Sequence, residues 1–155
     1  MFKPMGIDTH VFNPIPDDKE TATLSYYTRG DICLGQYYKQ TNMVGAAGWI
    51  SSVTQLGKLL TGLRNNSVLN EDITAQMFNQ SLGWDTYNGL YGQYYHHGGA
   101  FGDDPHGIRT VIMRLSHGYD CVLVANSATE FLGLPQVWDL VIQAFEAKGV
   151  QSSET

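Results

Sequence analysis

Past residue 50 the spacing of apolar positions changes repeatedly along the chain, and each change predicts an element. Val53, Leu56, Leu59, Leu60 and Leu63 recur at helical spacing and predict an amphipathic helix over 53–64 whose stripe faces a core. Ser52 stands at its N-cap, with Gln55 at the reciprocal position of a capping box. A second helix is expected to start after Asn70 as cap. Glu71 and Asp72 suit the positive end of its dipole, and Ile73 and Met77 share one face. A third begins near Pro135 and carries Val137, Trp138, Val141, Ile142 and Phe145 before Gly149. Proline at the start and glycine past the end are ordinary helix punctuation.

Between the second and third helices the pattern is that of strands, predicted near 82–85, 90–96, 109–115 and 121–126, with Ser116-His117-Gly118-Tyr119 as the turn of the last hairpin. So short a link demands antiparallel pairing. Upstream, Ala22, Leu24 and Tyr26 alternate with polar neighbours, and a second run reaches Tyr38, which predicts a short hairpin. Its turn is Arg29-Gly30-Asp31, a triplet read as a turn and not as an adhesion motif. Residues 1–20 hold Pro4, Pro14 and Pro16 and are expected to form an irregular lead-in. Residues 150–155 form a polar, frayed end. No repeat or linker divides the chain, so one domain over 1–155 is expected, α+β in class, an antiparallel sheet flanked by helices.

Composition narrows the function classes. With 155 residues, 43% hydrophobic and 12% aromatic, the chain has enough apolar material for one core. A formal charge of -6 without any basic run gives no footprint for nucleic acid. No apolar stretch is long enough to span a bilayer, and the proline-broken start lacks a signal-peptide core. Cys33 and Cys121 lack Cys-x-x-Cys spacing, which argues against a redox motif or zinc knuckle; two partly buried thiols are favoured, with a disulfide between them as the alternative. The tyrosine pairs 26–27, 37–38 and 94–95 put a ring on each face of a strand, which is ordinarily cross-strand packing.

Candidate chemistry concentrates in Tyr94-Tyr95-His96-His97-Gly98-Gly99-Ala100. Glycines on a strand let a ligand backbone approach closely, and a neighbouring histidine offers a hydrogen bond or charge to a carboxylate. On alternating faces only one of His96 and His97 can point into a site. A rival reading is a metal-dependent hydrolase with a site built from His96, His97, Asp103, Asp104 and His106, which supply nitrogen and oxygen donors within one loop. No helical His-x-x-x-His orders those donors, so adventitious metal is favoured over a catalytic ion. A plain structural role, with one histidine buried and the other wet, is the remaining alternative.

Three ordered segments, Pro4-Met5-Gly6-Ile7-Asp8-Thr9, Ala46-Ala47-Gly48-Trp49-Ile50-Ser51-Ser52 and His96-His97-Gly98 with the two strands after it, together resemble the serine beta-lactamase and penicillin-binding-protein superfamily, the branch of class C beta-lactamases, D-alanyl-D-alanine carboxypeptidases and related esterases. Pro4-Met5-Gly6-Ile7-Asp8-Thr9 is similar to that family's Pro-Leu-Gly-Met-x-Asp-Thr. Ala46-Ala47-Gly48-Trp49-Ile50-Ser51-Ser52 is similar to its Ala-Gly-Gly-Leu-x-Ser-Thr. His96-His97-Gly98 with the strands 110–115 and 122–127, ending in Asn126-Ser127, is similar to its Lys/His-x-Gly block. The resemblance implies a partial beta-lactamase/transpeptidase-like fold, a small-molecule or peptide acyl substrate, and no cofactor. It assigns His96 to the Lys/His position and the Gly99 N–H to half of an oxyanion hole. A shift by one residue gives His97-Gly98-Gly99 and moves that donor to Ala100.

The family's nucleophile motif, Ser-x-x-Lys, is missing, since none of Lys3, Lys19, Lys39, Lys58 and Lys148 has serine three positions before it. Its second motif, Tyr-x-Asn or Ser-x-Asn, is missing too. Both lie upstream of the Pro-Leu-Gly-Met segment in the family. The resemblance therefore implies a C-terminal portion that holds the substrate-binding and oxyanion side and is inactive alone, or a binding or assembly module without chemistry. It also implies an open sheet edge at the last strand, to be filled by a homodimer partner or an N-terminal segment. Members of the family often work outside the cytoplasm, but these residues assign no compartment.

Overall fold

A computed structural model describes residues 3–7, 51–101, 108–125 and 136–147. The hairpin expected over 21–38, the Ala46–Ile50 segment, the loop with Asp103, Asp104 and His106, and Asn126-Ser127 lie outside the described residues, as do Cys33 and the two chain ends. What is described is a four-stranded antiparallel meander with helices on both faces. It is an α+β arrangement consistent with a partial beta-lactamase-like fold.

Helix α1 spans Val53–Arg64 and α2 spans Glu71–Asn79. The capping box forms as predicted. The Gln55 N–H donates to Ser52 Oγ, and the Ser52 N–H donates to Gln55 Oε1 at 3.0 Å. Asn70 Oδ1 accepts from the Ile73 N–H at 2.9 Å. Both helices end in the same way, with a left-handed residue just past the C-cap, Asn66 (φ 55°) for α1 and Ser81 (φ 53°) for α2. Ser67 N–H donates to the Gly62 carbonyl and Leu82 N–H to the Met77 carbonyl, each at 2.8 Å, the backbone pairing of a Schellman motif.

That ending corrects the first strand. Leu82 is tied back to α2 and cannot start a strand, so β1 begins three residues later than expected and spans Asp85–Gly89. Strand β2 covers Gly92–Phe101, β3 Ile108–Arg114 and β4 Asp120–Ala125. The β3–β4 link falls where the sequence placed it. His117 (φ 55°) and Gly118 (φ 80°) reverse the chain, and the Leu115 N–H donates to the Tyr119 carbonyl at 2.9 Å.

The β1–β2 turn at Leu90-Tyr91 is fastened from outside the hairpin. Helix α3, Val137–Ala147, brings Glu146 to it, and one carboxylate oxygen accepts from the Leu90 N–H at 2.8 Å and the Tyr94 hydroxyl at 3.0 Å. The Tyr94 hydroxyl oxygen in turn accepts from the Tyr91 N–H. A Cβ on Gly89 would overlap the Tyr94 ring and that carboxylate, so only glycine fits there.

Strand alternation sorts side chains between two cores. On one face Tyr94, Val111, Met113 and Leu115 pack with Val137, Val141 and Ile142 of α3. On the other, Leu60, Leu63, Phe78 and Trp84 pack with Tyr95, Ile112 and Val122. Arg64 of α1 pairs with the Asp120 carboxylate through two nitrogens and donates to the Tyr119 carbonyl at 2.8 Å, fixing α1 to the start of β4. The 3–7 segment docks on α1. Its Met5 side chain fills the space a Cβ on Gly62 would need, and Lys58 Nζ donates to the Gly6 carbonyl at 2.9 Å.

Candidate functional site

The histidine and glycine run occupies the second half of β2, and pairing explains what is special there. Strand β1 pairs with β2 from Gly89↔Gly92 to Asp85↔His96 and stops, while β3 pairs on the other side as far as Phe101↔Ile108. Among the described residues, 97–101 therefore have a strand on one side only. An exposed edge of this kind presents unpaired backbone donors and acceptors. Successive residues of a strand aim their N–H groups at opposite edges, so of Gly99 and Ala100 only one can donate to a ligand along that edge.

The two histidines sit on opposite faces. His96 follows Tyr94 onto the α3 side, where it is 6% exposed. Its ring stacks on Trp138 of α3 with centroids 4.9 Å apart and planes 22° apart. Its Nδ1 is buried without a hydrogen-bond partner among the described residues. Burial pushes its pKa below the ordinary histidine value, against an opposing pull from Asp85 and Asp139. The result is a neutral ring inside the sheet–helix core. His97 follows Tyr95 onto the α1/α2 side, opposite Ile112, and is exposed.

Each glycine is crowded by a different neighbour. A Cβ on Gly98 would meet the Trp138 ring at 3.2 Å and the Thr110 carbonyl at 3.4 Å; on Gly99 it would meet Thr110 Oγ1 at 2.8 Å. One indole thus covers His96 and Gly98 from behind, and one threonine hydroxyl lies over Gly99 in front. The sequence reading, that the glycines open room for a ligand, needs this refinement. The room behind is filled by Trp138, while on the other face His97 and Gly99 are exposed and Thr110 is half-buried. Around that patch Ile108 and Val124 are 40% and 39% exposed.

Thr110 and Trp138 carry weight here that the sequence did not assign to them. By its spacing Trp138 belongs only to an apolar stripe, and Thr110 only to a strand. The signal was available in principle, because an antiparallel register that places a hydroxyl residue opposite a glycine puts that hydroxyl in the glycine's missing side-chain space.

For the metal reading, no described group of three His, Cys, Asp or Glu side chains could hold an ion. His96 and His97 diverge to opposite faces, and Asp103, Asp104 and His106 lie outside the described residues. An open recess of about 440 Å³ runs along α1 between Met5, Lys58, Thr61 and Asn65, away from strand residues 96–100. No described helix is long and apolar enough to cross a membrane. No curated protein and no solved structure matches the chain. A family model does, over residues 1–137, and its description is Beta-lactamase.

Proposed function

The chain belongs to the beta-lactamase family, and from that premise we propose that it supplies the substrate-binding and oxyanion side of a serine hydrolase of the peptidase, beta-lactamase or esterase type. The observation that supports this most is the edge of β2 at residues 97–101, which has no pairing strand among the described residues and is flanked by an exposed imidazole. An extended acyl or peptide-like group can lie along such an edge as an added strand, bonded through its backbone.

Of the two registers, His97-Gly98-Gly99 suits a ligand better than His96-His97-Gly98. A carboxylate needs a donor it can reach, and His96 is roofed by Trp138 and held neutral by burial. In this register the oxyanion donor is the Ala100 N–H. One such donor contributes roughly 3 kcal/mol to an acyl-transfer barrier, but only with an attacking group beside it. The chain has no Ser-x-x-Lys, so the half-site binds and orients without forming an acyl-enzyme.

The same missing motif favours a second reading, a binding or assembly module of this fold. In both readings the outer edge of β4 takes up a strand, from a second copy or from an N-terminal segment of a larger unit. Incubation with a fluorescent penicillin, read by intact mass, tests the proposal. No adduct is expected on this chain alone. An adduct on one of its own residues would reveal a nucleophile and overturn it. Acylation of a supplied Ser-x-x-Lys segment only when this chain is present selects the hydrolase reading, and no acylation selects the module.

A further inference from the structure

We propose that Arg114, with the Arg64 guanidinium that shares its neighbour Asp120, forms a binding site for a phosphate group at the turn end of the sheet. It lies about 13 Å along the strands from the Gly99–Thr110 pair and does not depend on the acyl-binding reading.

The sheet register puts the cation there. Thr86, Tyr95, Arg114 and Asp120 are successive partners across β1, β2, β3 and β4, so their side chains form one row on the face that α1 and α2 cover. In such a row Asp120 is the natural ion partner of Arg114. It is taken by another cation. Arg64 Nε donates to Asp120 Oδ2 at 3.0 Å and Arg64 Nη2 donates to Oδ1, so both carboxylate oxygens are bound to α1. Two guanidiniums thus share one carboxylate. Among the described residues the cluster keeps one positive charge over, in a chain whose formal charge is -6.

Arg114 keeps its donors as well as its charge. Its Cζ lies over the Phe78 ring, 4.5 Å from the centroid, a contact that attracts the cation but supplies no acceptor for its five N–H groups. Among the described residues no hydrogen bond or ion pair takes them up. The Tyr95 hydroxyl on the facing strand donates to Gln93 Oε1 at 2.8 Å. Arg114 is half-buried, and burial, followed by the Arg64 charge, lowers its pKa from the ordinary arginine value. A bound anion relieves both costs. On Arg64, Nη1 is the nitrogen that the bonds to Asp120 and Tyr119 leave over.

The number of donors selects the ligand. A carboxylate has two oxygens in one plane and suits one edge of one guanidinium, which is how Asp120 meets Arg64. A phosphate group carries three acceptor oxygens in different directions. It can take an edge of Arg114 and Arg64 Nη1 together.

The test is a titration of the full chain with sodium phosphate, and with chloride and acetate at matched ionic strength, followed by the arginine Nε–H NMR resonances. Phosphate should shift Arg114 saturably and the other two salts should not. R114Q, read at Arg64, should weaken phosphate binding about tenfold or more, the usual weight of a hydrogen bond to a charged group. D120N keeps an acceptor for Arg64 and removes the competing negative charge, so it should tighten binding severalfold. Phosphate should also protect Arg114 of the unaltered chain from phenylglyoxal, read by peptide mass, an arm that holds whether or not the variants fold. Absence of a saturable shift, an equal effect of chloride or acetate, affinity unchanged in R114Q or D120N, or modification of Arg114 indifferent to phosphate each overturns the site. Glycerol 3-phosphate separates the sources. Binding equal to that of inorganic phosphate supports a site for phosphate esters, and binding tenfold or more weaker supports a site for the free ion.

Discussion

The His96 imidazole lies flat against the Trp138 indole, 4.9 Å between centroids and 22° between planes, on the face of β2 turned away from His97. This stack divides the tandem histidines into one that holds the strand and one that faces outward. A polar ring accepted into a core in this way is kept neutral, because charging it would require desolvating a cation.

Stability should therefore depend on pH through His96. Its folded pKa lies below the ordinary 6.5, chiefly through burial. Above 6.5 the ring is neutral folded and unfolded, and its contribution is complete. As pH falls below 6.5 the unfolded chain binds the proton first, so stability declines until the folded pKa is passed. Histidine C2–H NMR should show the His96 resonance titrating with a midpoint below 6.5. A midpoint at or above 6.5 would contradict the buried stack.

Gly98 and Trp138 should be energetically coupled. G98A forces a methyl group toward the indole at 3.2 Å and is expected to cost about 1–3 kcal/mol as overpacking. W138A is expected to cost about 3 kcal/mol as a lost aromatic contact. In the double variant the G98A cost should nearly vanish, leaving a coupling of about 1 kcal/mol or more by denaturant unfolding. Additive costs would mean that Gly98 is glycine for another reason.

The β1–β2 hairpin should depend on a residue far from it in sequence. E146A removes the acceptor of the Leu90 N–H and of the fully buried Tyr94 hydroxyl. A loss of about 2–3 kcal/mol is expected, with Leu90 and Tyr91 amides losing exchange protection first. E146Q keeps an acceptor oxygen and should lose less. Burial raises the Tyr94 pKa, with the Glu146 carboxylate adding to the rise, so the phenol remains a donor across the ordinary pH range. Unchanged protection at Leu90 in E146A would show that the turn holds itself.

How much of this could be read from the residues follows from how local each cause is. The capping box of α1, the Asn70 cap and the Ser116–Tyr119 turn are decided within four or five residues, and the sequence predicted all three. The start of β1 was misread because the left-handed residues that end α1 and α2 are Asn66 and Ser81, not the glycine that usually marks such a stop. The Leu90-Tyr91 turn has glycine only at its flanks, Gly89 and Gly92 (φ 112°), and is fastened by Glu146 from α3. At the site the histidine and glycine run was visible as a candidate, but which histidine turns inward depends on Trp138. What lies over Gly99 depends on the β2–β3 register. Both are tertiary facts.

Carbethoxylation of the folded chain with diethyl pyrocarbonate, located by peptide fragmentation, tests the central claim most directly, with and without a large excess of N-acetyl-D-alanyl-D-alanine. The account predicts that His97 reacts readily, that His96 is spared until the chain unfolds, and that the peptide slows reaction at His97. Reaction at His96 as fast as at His97, or a His97 rate indifferent to the peptide, would contradict it.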